Sequence, residues 1–172
     1  MNKELRKTQI VEIVSSSKAP VSASSLAKEL GVSRQVIVGD VALLRAMGSE
    51  IIATARGYII PEFRDANQYL GKVACRHSSE DTKQELYTIV DLEAVVEDVI
   101  VEHDLYGEIT GQLNLKCRSD VDIFMERVGT SKDKLLSELT TGLHLHTIAC
   151  RDKTHFEQTR RALEAAGYLF TE

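Results

Sequence analysis

The chain of 172 residues contains no tryptophan and only two prolines, and aromatic residues make up 5% of it. It also lacks any apolar run near the roughly eighteen residues that a membrane-spanning helix needs. Its N-terminus, MNKELRKTQIVEIV, is charged and has no apolar core of the kind found in signal peptides. These absences exclude a membrane protein and predict a cytoplasmic one, while charged residues at 27% are typical of a globular chain.

Cysteine is scarce, and its three copies follow no pairing pattern. Cys75, Cys117 and Cys150 are widely spaced, odd in number and free of any CxxC motif. Structural zinc sites often recruit closely spaced cysteines, and disulfide frameworks use even numbers of them. We therefore expect reduced, structural thiols, which agrees with a cytoplasmic location.

Acidic residues outnumber basic ones and give a net charge of -5, but the excess is unevenly distributed. Residues 1–60 hold eight Lys and Arg against five Asp and Glu, a balance of +3. Residues 61–172 hold thirteen against twenty-one, a balance of -8. A basic front and an acidic back indicate two domains with different partners, of which only the front suits a polyanion such as DNA.

The basic front predicts a helix-turn-helix. Ser22 stands where a helix N-cap is expected, and residues 22–30 have the pattern of a short helix. Gly31 can take the left-handed conformation that ends this helix, and Ser33 caps the next one, which runs from residue 34 to about 47. Two helices joined through a turn this short form the helix-turn-helix signature.

The second of these helices has one apolar face and one small, polar face. At about 100° per residue, Ile37, Val41 and Leu44 form a buried stripe. Gly39 lies opposite, although glycine inside a helix costs about 1 kcal/mol relative to alanine. We interpret Gly39 as a residue that lets the helix backbone sit deep in a major groove. The alternative is that glycine is merely tolerated at this position and has no function there. The residues predicted to contact DNA here are Ser33, Arg34, Gln35, Val38, Gly39 and Arg45.

A hairpin is predicted after the helices. Residues 50–60, EIIATARGYII, place two β-prone runs around a turn that contains Arg56 and Gly57. Residues 1–60 are therefore predicted to be a winged helix-turn-helix domain, with Arg56 near the wing tip, where it can reach a phosphate or the minor groove. A winged helix can instead bind another protein, but the short polar face flanked by arginines favours DNA.

The remaining residues predict a linker and a mixed α/β domain. Residues 61–83 are assigned to a linker that includes the start of a metal site, with 63–73 as a short helix. Residues 84–172 alternate strand and helix patterns. The predicted strands are 86–90, 95–103, 109–115, 143–150 and 168–170, and the predicted helices are 120–128 and 152–166. Such a pattern is typical of an open-faced α/β sandwich, so the fold class of the chain is α+β.

Two histidines stand two positions apart in the stretch GLHLHTI, which has the pattern of a strand. Side chains at i and i+2 of a strand share a face, so His144 and His146 lie about 6–7 Å apart at their Cα atoms and can reach one metal ion. The pair alone is a weak motif, because ordinary surface polarity also explains it. Further ligands would have to come from elsewhere in the chain. The candidates are His77, His103, His155, Glu80, Glu85 and Asp104.

Several segments of the chain match one family. GVSRQVIVGDVALLRAMGSEIIATARGYII resembles the helix-turn-helix domain of the niacin-responsive transcriptional repressors. CRHSSEDTKQELYTIVD, VIVEHDLYGEITGQLNL and LTTGLHLHTIAC resemble, in this order, their three-histidine (3H) effector domain, whose fold resembles the phosphocarrier protein HPr. The resemblance covers essentially the whole chain. It implies a homodimer that represses genes for niacin uptake and NAD synthesis when nicotinic acid is abundant.

The resemblance also implies a set of metal ligands. In this family the ligands fall on His77, Glu85, His144 and His146, which leaves the other two histidines as structural or surface residues. Three imidazoles and a carboxylate suit a divalent transition metal such as zinc, nickel or iron. An open position on such an ion would accept the pyridine nitrogen or the carboxylate of nicotinic acid. The cations considered for the carboxylate are Arg76, Lys116 and Arg118.

The predicted function is a DNA-binding repressor that reads a palindromic operator as a homodimer, with nicotinic acid as co-repressor and no catalytic activity. The alternative is a metal-sensing regulator in which the ion itself is the signal. A metal-dependent enzyme is a weaker candidate, because no nucleophile or phosphate-loop motif accompanies the histidines. The ion could also serve only as a structural staple for a small core.

Overall fold

The computed structural model describes residues 2–61 and 67–171. The chain divides into two compact units, Met1–Arg64 and Asp65–Glu172, and each has buried apolar residues of its own. Within the described residues, no helix is long and apolar enough to cross a membrane.

Within residues 2–61, the first unit has three helices and a two-stranded hairpin. The local signals act as predicted: the Ser22 side chain accepts a hydrogen bond from the Ser25 N–H, Gly31 adopts a φ of +66°, and the Ser33 side chain accepts from the Val36 N–H. The predicted winged helix-turn-helix is confirmed. Its elements are α1 (Lys3–Ser16), α2 (Ala23–Leu30), α3 (Arg34–Ala46), β1 (Ile52–Thr54) and β2 (Gly57–Ile59).

Two polar contacts hold α3 and the hairpin in place around an apolar core. The Arg6 guanidinium on α1 donates to the Asp40 carboxylate on α3 at 2.6 Å, and Asp40 is only 3% exposed. Val21 and Tyr58 exchange two backbone hydrogen bonds of 2.8 Å, which attach β2 to the segment between α1 and α2. The buried core residues are Ile10, Val14, Ala23, Leu26, Ala27, Ile37, Val41 and Ile51.

Within residues 67–171, the second unit is a four-stranded antiparallel sheet with helices against it. The strand order is β3-β6-β4-β5, so β3 and β5 are the edge strands. α4 packs against α5, α6 and β4, while α6 packs against β3 and β6. The predicted α/β sandwich is confirmed. Its elements are β3 (Tyr69–Arg76), α4 (Thr82–Val90), β4 (Val95–His103), β5 (Gly107–Leu115), α5 (Arg118–Thr130), β6 (Leu143–Cys150) and α6 (Lys153–Ala165).

Three local predictions are wrong. Residues 168–170 are not a strand, because Leu169 forms only an isolated bridge, with Cys75. Residues 86–90 are not a strand, because they form the second half of α4, which buries a stripe at helical spacing. Residues 69–73 are not a linker helix, because they belong to β3 and pair with β6. Of the rest of that predicted helix, residues 63–66 lie outside the described residues, and residues 67–68 are not helical. The second unit therefore includes much of the segment assigned to the linker.

Gly71 in β3 leaves room for an aromatic ring of α6. A Cβ atom on this residue would lie 2.3 Å from the Phe156 ring, well inside van der Waals contact. Phe156 is 6% exposed and also contacts the Tyr69 ring, so it has little freedom to move away. The close fit between α6 and the sheet therefore requires glycine here.

We predict that Gly71→Ala lowers the free energy of unfolding by about 1–3 kcal/mol, because the added methyl group overpacks this contact. Urea unfolding followed by circular dichroism measures the change. Gly129→Ala is the matched control, since a Cβ at this position in α5 meets no atom within 4 Å. The control should gain up to about 1 kcal/mol from helix propensity. A Gly71→Ala protein as stable as the unsubstituted one would contradict the packing argument.

Candidate metal centre

Four polar side chains meet between the sheet and α4. β6 places His144 and His146 on the same face, because alternate residues of a strand point to the same side. α4 lies over them and buries Glu85 completely, at 0% exposure. His77 follows the last residue of β3, and its side chain is 4% exposed. The fold therefore brings together the four residues that the resemblance names as ligands.

Glu85 is the common partner of the three histidines. His77 Nε2 lies 2.6 Å from Glu85 Oε2, while His144 Nε2 and His146 Nε2 lie 3.1 Å and 3.5 Å from Oε1. The rings contact one another edge to face, with centroids 4.9 Å apart for His77 and His144 and 4.8 Å apart for His144 and His146. Three imidazoles thus surround one buried carboxylate, and we call these four residues the histidine cluster.

The backbone fixes the orientation of each imidazole in the histidine cluster. In every case Nδ1 lies within hydrogen-bond distance of a carbonyl oxygen, and because a carbonyl only accepts, Nδ1 must carry the ring proton. The Nε2 atom of each neutral ring then presents a lone pair towards Glu85. This is the arrangement that metal-binding histidines adopt. The bonds are His77 to Ser78 at 2.7 Å, His144 to Gly142 at 2.8 Å and His146 to Asp98 at 2.6 Å.

Lone pairs that face a buried carboxylate repel it, so the histidine cluster needs positive charge from protons or from a cation. Burial raises the pKa of the Glu85 carboxyl, but the charge of His146 and the close contact of the three imidazoles outweigh burial and hold that pKa well below its usual range. Burial lowers the pKa of His146 and of His77, and Glu85 more than offsets it, so both pKa values are raised. A bound cation would displace these protons.

The distances in the histidine cluster fit a metal ion. Ligand atoms about 2.0–2.2 Å from an ion and roughly 90–110° apart are separated by roughly 2.9–3.5 Å, which is close to the Nε2–oxygen distances. In addition, His77 Nε2 and Glu85 Oε2 are buried atoms without a hydrogen-bond partner among the described residues. Their 2.6 Å contact has the distance but not the geometry of a hydrogen bond. An ion between these atoms would satisfy both.

Cys75 is a further donor that sequence reasoning missed. Its Sγ, a Glu85 oxygen and a His144 nitrogen all lie within 4.8 Å of one another, and Cys75 is 0% exposed. It is directly opposite His144 in the pairing of β3 with β6. Burial, reinforced by Glu85, raises the pKa of the Cys75 thiol, so the thiol stays protonated unless an ion replaces the proton. The signal in the sequence was its position two residues before His77, because side chains two residues apart in an extended segment point to the same side.

The remaining candidates for metal ligands lie elsewhere and have other partners. His103 accepts hydrogen bonds from two backbone N–H groups in the turn between β4 and β5, at 3.2 and 3.4 Å. His155 is buried, donates from Nε2 to the carbonyl oxygen of Leu92 at 2.6 Å, and accepts at Nδ1 from a backbone N–H at 3.1 Å. Glu80 and Asp104 are exposed. The two histidines are therefore structural polar residues.

The three cations predicted to meet an effector carboxylate are exposed at the surface of the second unit. Arg118 makes two hydrogen bonds of 2.7 and 2.6 Å to Asp91 and lies 4.3 Å above the Tyr87 ring. Arg76 is exposed and lies over an aromatic ring, and Lys116 is exposed. A cavity beside the histidine cluster is lined by residues of α4, α5, β4, β5, β6 and the segment before β6, and none of the three cations is among its described lining residues. Their contact with an effector carboxylate stays a prediction.

The residues predicted to contact DNA differ in how exposed they are on the first unit. Four are exposed on α3, whereas Val38 is half-buried against the core and the Ser33 hydroxyl caps the helix. Arg56 is half-buried in the turn between β1 and β2. A Cβ on Gly39 would meet no atom within 4 Å, so internal packing does not require glycine there. The four exposed residues are Arg34, Gln35, Gly39 and Arg45.

An exposed apolar strip on α3 was also missed. Val36, Leu43 and Met47 are 38%, 43% and 72% exposed, and their spacing of seven and four residues places them on one side of the helix. The helical wheel contained this signal, but the three residues were not singled out. Apolar side chains in a major groove can contact thymine methyl groups.

Comparison with known families matches both units. A family described as an HTH domain matches residues 6–59, and a family described as the 3H domain matches residues 71–172. The first match contains most of α1 and the whole of α2, α3 and the hairpin. The second contains all four residues of the histidine cluster.

Two relatives match nearly the whole chain. One is "Transcription repressor NadR" of Bacillus subtilis (strain 168), which is 37% identical over 169 residues and covers 97% of this chain and 94% of the relative. The other is "Probable transcription repressor NiaR" of Thermotoga maritima, which is 41% identical over 167 residues with the same coverage. Both are named as repressors and neither as an enzyme, as the sequence analysis expects.

Gly142 positions two rings of the histidine cluster and was not anticipated from the sequence. Its φ is +90°, and a Cβ there would lie 2.3 Å from the backbone oxygen of His77. Its own carbonyl accepts the hydrogen bond from His144 Nδ1. A side chain at this position would therefore push apart the segments that carry His77 and His144.

We predict that Gly142→Ala weakens zinc or nickel binding by about 10–100-fold, the usual effect of disturbing the groups that orient metal ligands. Competition with a chromophoric chelator measures the affinity. Gly107→Ala is the matched control, because Gly107 has a φ of +70° but a Cβ there meets no atom within 4 Å. Both variants carry backbone strain, so equal metal affinity in the two would show that Gly142 does not position the ligands.

Proposed function

The chain belongs to the NadR/NiaR family of transcription repressors, and from that membership we propose that it represses genes for niacin uptake and NAD biosynthesis by binding their operators. Its first unit supports this proposal, because α3 follows a turn of helix-turn-helix geometry and has four exposed residues that were predicted to contact DNA. These residues are Arg34, Gln35, Gly39 and Arg45. The N-terminal part of such a helix contacts base edges in the major groove.

Nicotinic acid is the proposed co-repressor, binding at or near a divalent ion held by His77, Glu85, His144 and His146. The observation that carries this proposal is that three imidazoles, each with Nδ1 held by a carbonyl, direct Nε2 at one buried carboxylate. A zinc, nickel or iron ion there would supply positive charge and an open position for a carboxylate or a pyridine nitrogen.

Repression requires that the effector bind one conformer more tightly than the other, since a ligand with equal affinity for two conformers does not change their populations. We propose that the protein acts in the cytoplasm as a homodimer. Two α3 helices spaced by one turn of DNA, about 34 Å, would read a palindromic operator. Nicotinic acid would then stabilise the dimer conformer in which both helices fit their half-sites.

The first test is isothermal titration of nicotinic acid into metal-loaded and metal-stripped protein, followed by DNA-shift assays under the same conditions. We expect binding that needs the metal and that tightens association with the promoter of a niacin-uptake gene. His144→Ala should abolish both effects and leave the circular dichroism spectrum unchanged, because it removes one ligand and leaves the sheet paired.

The matched control is His155→Gln, which alters a buried histidine outside the histidine cluster and should retain the response to nicotinic acid. A normal response in His144→Ala would remove the metal from the mechanism. DNA affinity that follows metal concentration and ignores nicotinic acid would identify the protein as a metal sensor instead.

A second prediction concerns Gly39. Gly39→Ala should raise the free energy of unfolding by up to about 1 kcal/mol, because alanine favours the helix and nothing obstructs its methyl group. The same variant should bind promoter DNA at least about tenfold more weakly if the backbone of α3 sits deep in the groove. Fluorescence anisotropy with a labelled promoter fragment measures the affinity. Gly129→Ala, a helical glycine of the other unit, is the control, and equal affinity in both variants would contradict close approach.

A further inference from the structure

The face of α3 that points away from the core is made mostly of small and apolar residues. At about 100° per residue, this face follows from the positions opposite the buried stripe of the helix. Gln35 is the one residue on it whose side chain can form hydrogen bonds, so a partner must be recognised largely through shape and apolar contact. The outward-facing residues, all of them described and exposed, are Gln35, Val36, Gly39, Ala42, Leu43 and Ala46.

The apolar strip of α3 (Val36, Leu43 and Met47) and the two arginines of the helix lie on opposite flanks of this face. Arg34 and Arg45 fall about 160–180° from Val36 around the helix, with two small residues, Gly39 and Ala46, between the flanks. Because the middle of the face carries no long side chain, a partner can approach the helix backbone and contact both flanks at once.

The exposed charges of α3 are all positive. Asp40 is the one acidic residue of this helix, every residue of which is described, and it is 3% exposed and accepts a hydrogen bond from Arg6. Exposed charges of a single positive sign attract a polyanion, whereas they would repel the same face of a second copy. The occupant that fits this face is therefore DNA.

The apolar strip matches one chemical group in the major groove. Thymine carries a C5-methyl group there, while the other bases present hydrogen-bonding atoms at the same edge. Contact with this methyl group would remove apolar surface of both partners from water. The neighbouring Gln35 has the amide that pairs with adenine N6 and N7. Together, Gln35 and Val36 favour A·T base pairs in the operator.

We propose that Val36 and Leu43 determine operator specificity by contacting the C5-methyl groups of thymines, while Gln35 pairs with an adenine near the first of them. This inference rests on the proposed function, in which α3 binds operator DNA. Val36 and Leu43 are about 10 Å apart along the helix axis, which corresponds to roughly three base pairs of DNA. The two thymines therefore lie about three base pairs apart in each half-site.

The test replaces thymine by deoxyuridine, which keeps every hydrogen-bonding atom of thymine and lacks only the methyl group. Footprinting of the full chain, with metal and nicotinic acid, on the promoter of a niacin-uptake gene first locates the operator. Fluorescence anisotropy then measures the Kd for fragments in which one thymine at a time is replaced. We expect two positions in each half-site at which deoxyuridine raises the Kd about fourfold, the effect of removing one methyl group from an apolar contact.

Two variants assign each residue to one thymine. Val36→Ala should raise the Kd for the unsubstituted operator about fourfold and abolish the effect of deoxyuridine at one of the two positions. Leu43→Ala should do the same at the other position. Both side chains are exposed and alanine favours a helix, so circular dichroism should show both variants folded.

Leu5→Ala is the matched control. Leu5 is an apolar residue of the first unit that is 54% exposed, like the residues of the strip, but it lies on α1. This variant should keep both the Kd of the unsubstituted protein and the effect of deoxyuridine at both positions. If Leu5→Ala loses that effect as well, contact with α3 is not its cause and the inference is wrong.

The remaining outcomes distinguish this inference from the proposed function. If the full chain does not bind the promoter, the proposed function fails and this inference fails with it. If the chain binds but no deoxyuridine raises the Kd, the proposed function stands and the apolar strip does not contact thymine. The same conclusion follows if Val36→Ala and Leu43→Ala remain as sensitive to deoxyuridine as the unsubstituted protein.

Discussion

A buried carboxylate stays ionised only when it has partners, and Glu85 obtains its partners from three imidazoles. The contacts between the helices and the sheet of the second unit depend on this requirement. Glu85 lies on α4, whereas His77 follows β3 and the other two histidines belong to β6, so balancing its charge joins the helix to both strands. Because α4 also packs against α5 and α6, the helical layer depends on the same contact.

The first unit could be predicted almost residue by residue because its signals are local. A serine cap, a left-handed glycine and a second serine cap define the turn between α2 and α3, and each acts within a few residues of its own position. The second unit was predictable in class but not in detail. The run from Leu86 to Val90 has β-branched character, yet its neighbours Thr82 and Glu85 extend a buried stripe at helical spacing. Both of these are polar, so a search for apolar periodicity did not detect the helix.

The contents of the candidate site were predictable only as far as the resemblance reached. Cys75 joins the histidine cluster through strand register, and Gly142 matters because two distant backbone segments meet there. The cations predicted for the effector lie near the histidines or the strands in sequence, but residues of α4, α5, β4, β5, β6 and the segment before β6 line the cavity beside the histidine cluster. Which residues share a cavity is a property of packing, and neither spacing nor composition encodes it.

The three carbonyl oxygens that hold the imidazoles belong to three separate backbone segments, at Ser78, Asp98 and Gly142. The Asp98 segment is irregular on both sides, because β4 shifts register with β5 between Val96 and Asp98 and with β6 between Val96 and Ile100. An ion of larger radius would have to move the rings outward, and each ring would move its own carbonyl. If the histidine cluster holds an ion, selection among ions of different size would therefore depend on the stiffness of three backbone segments as well as on the chemistry of the ligands.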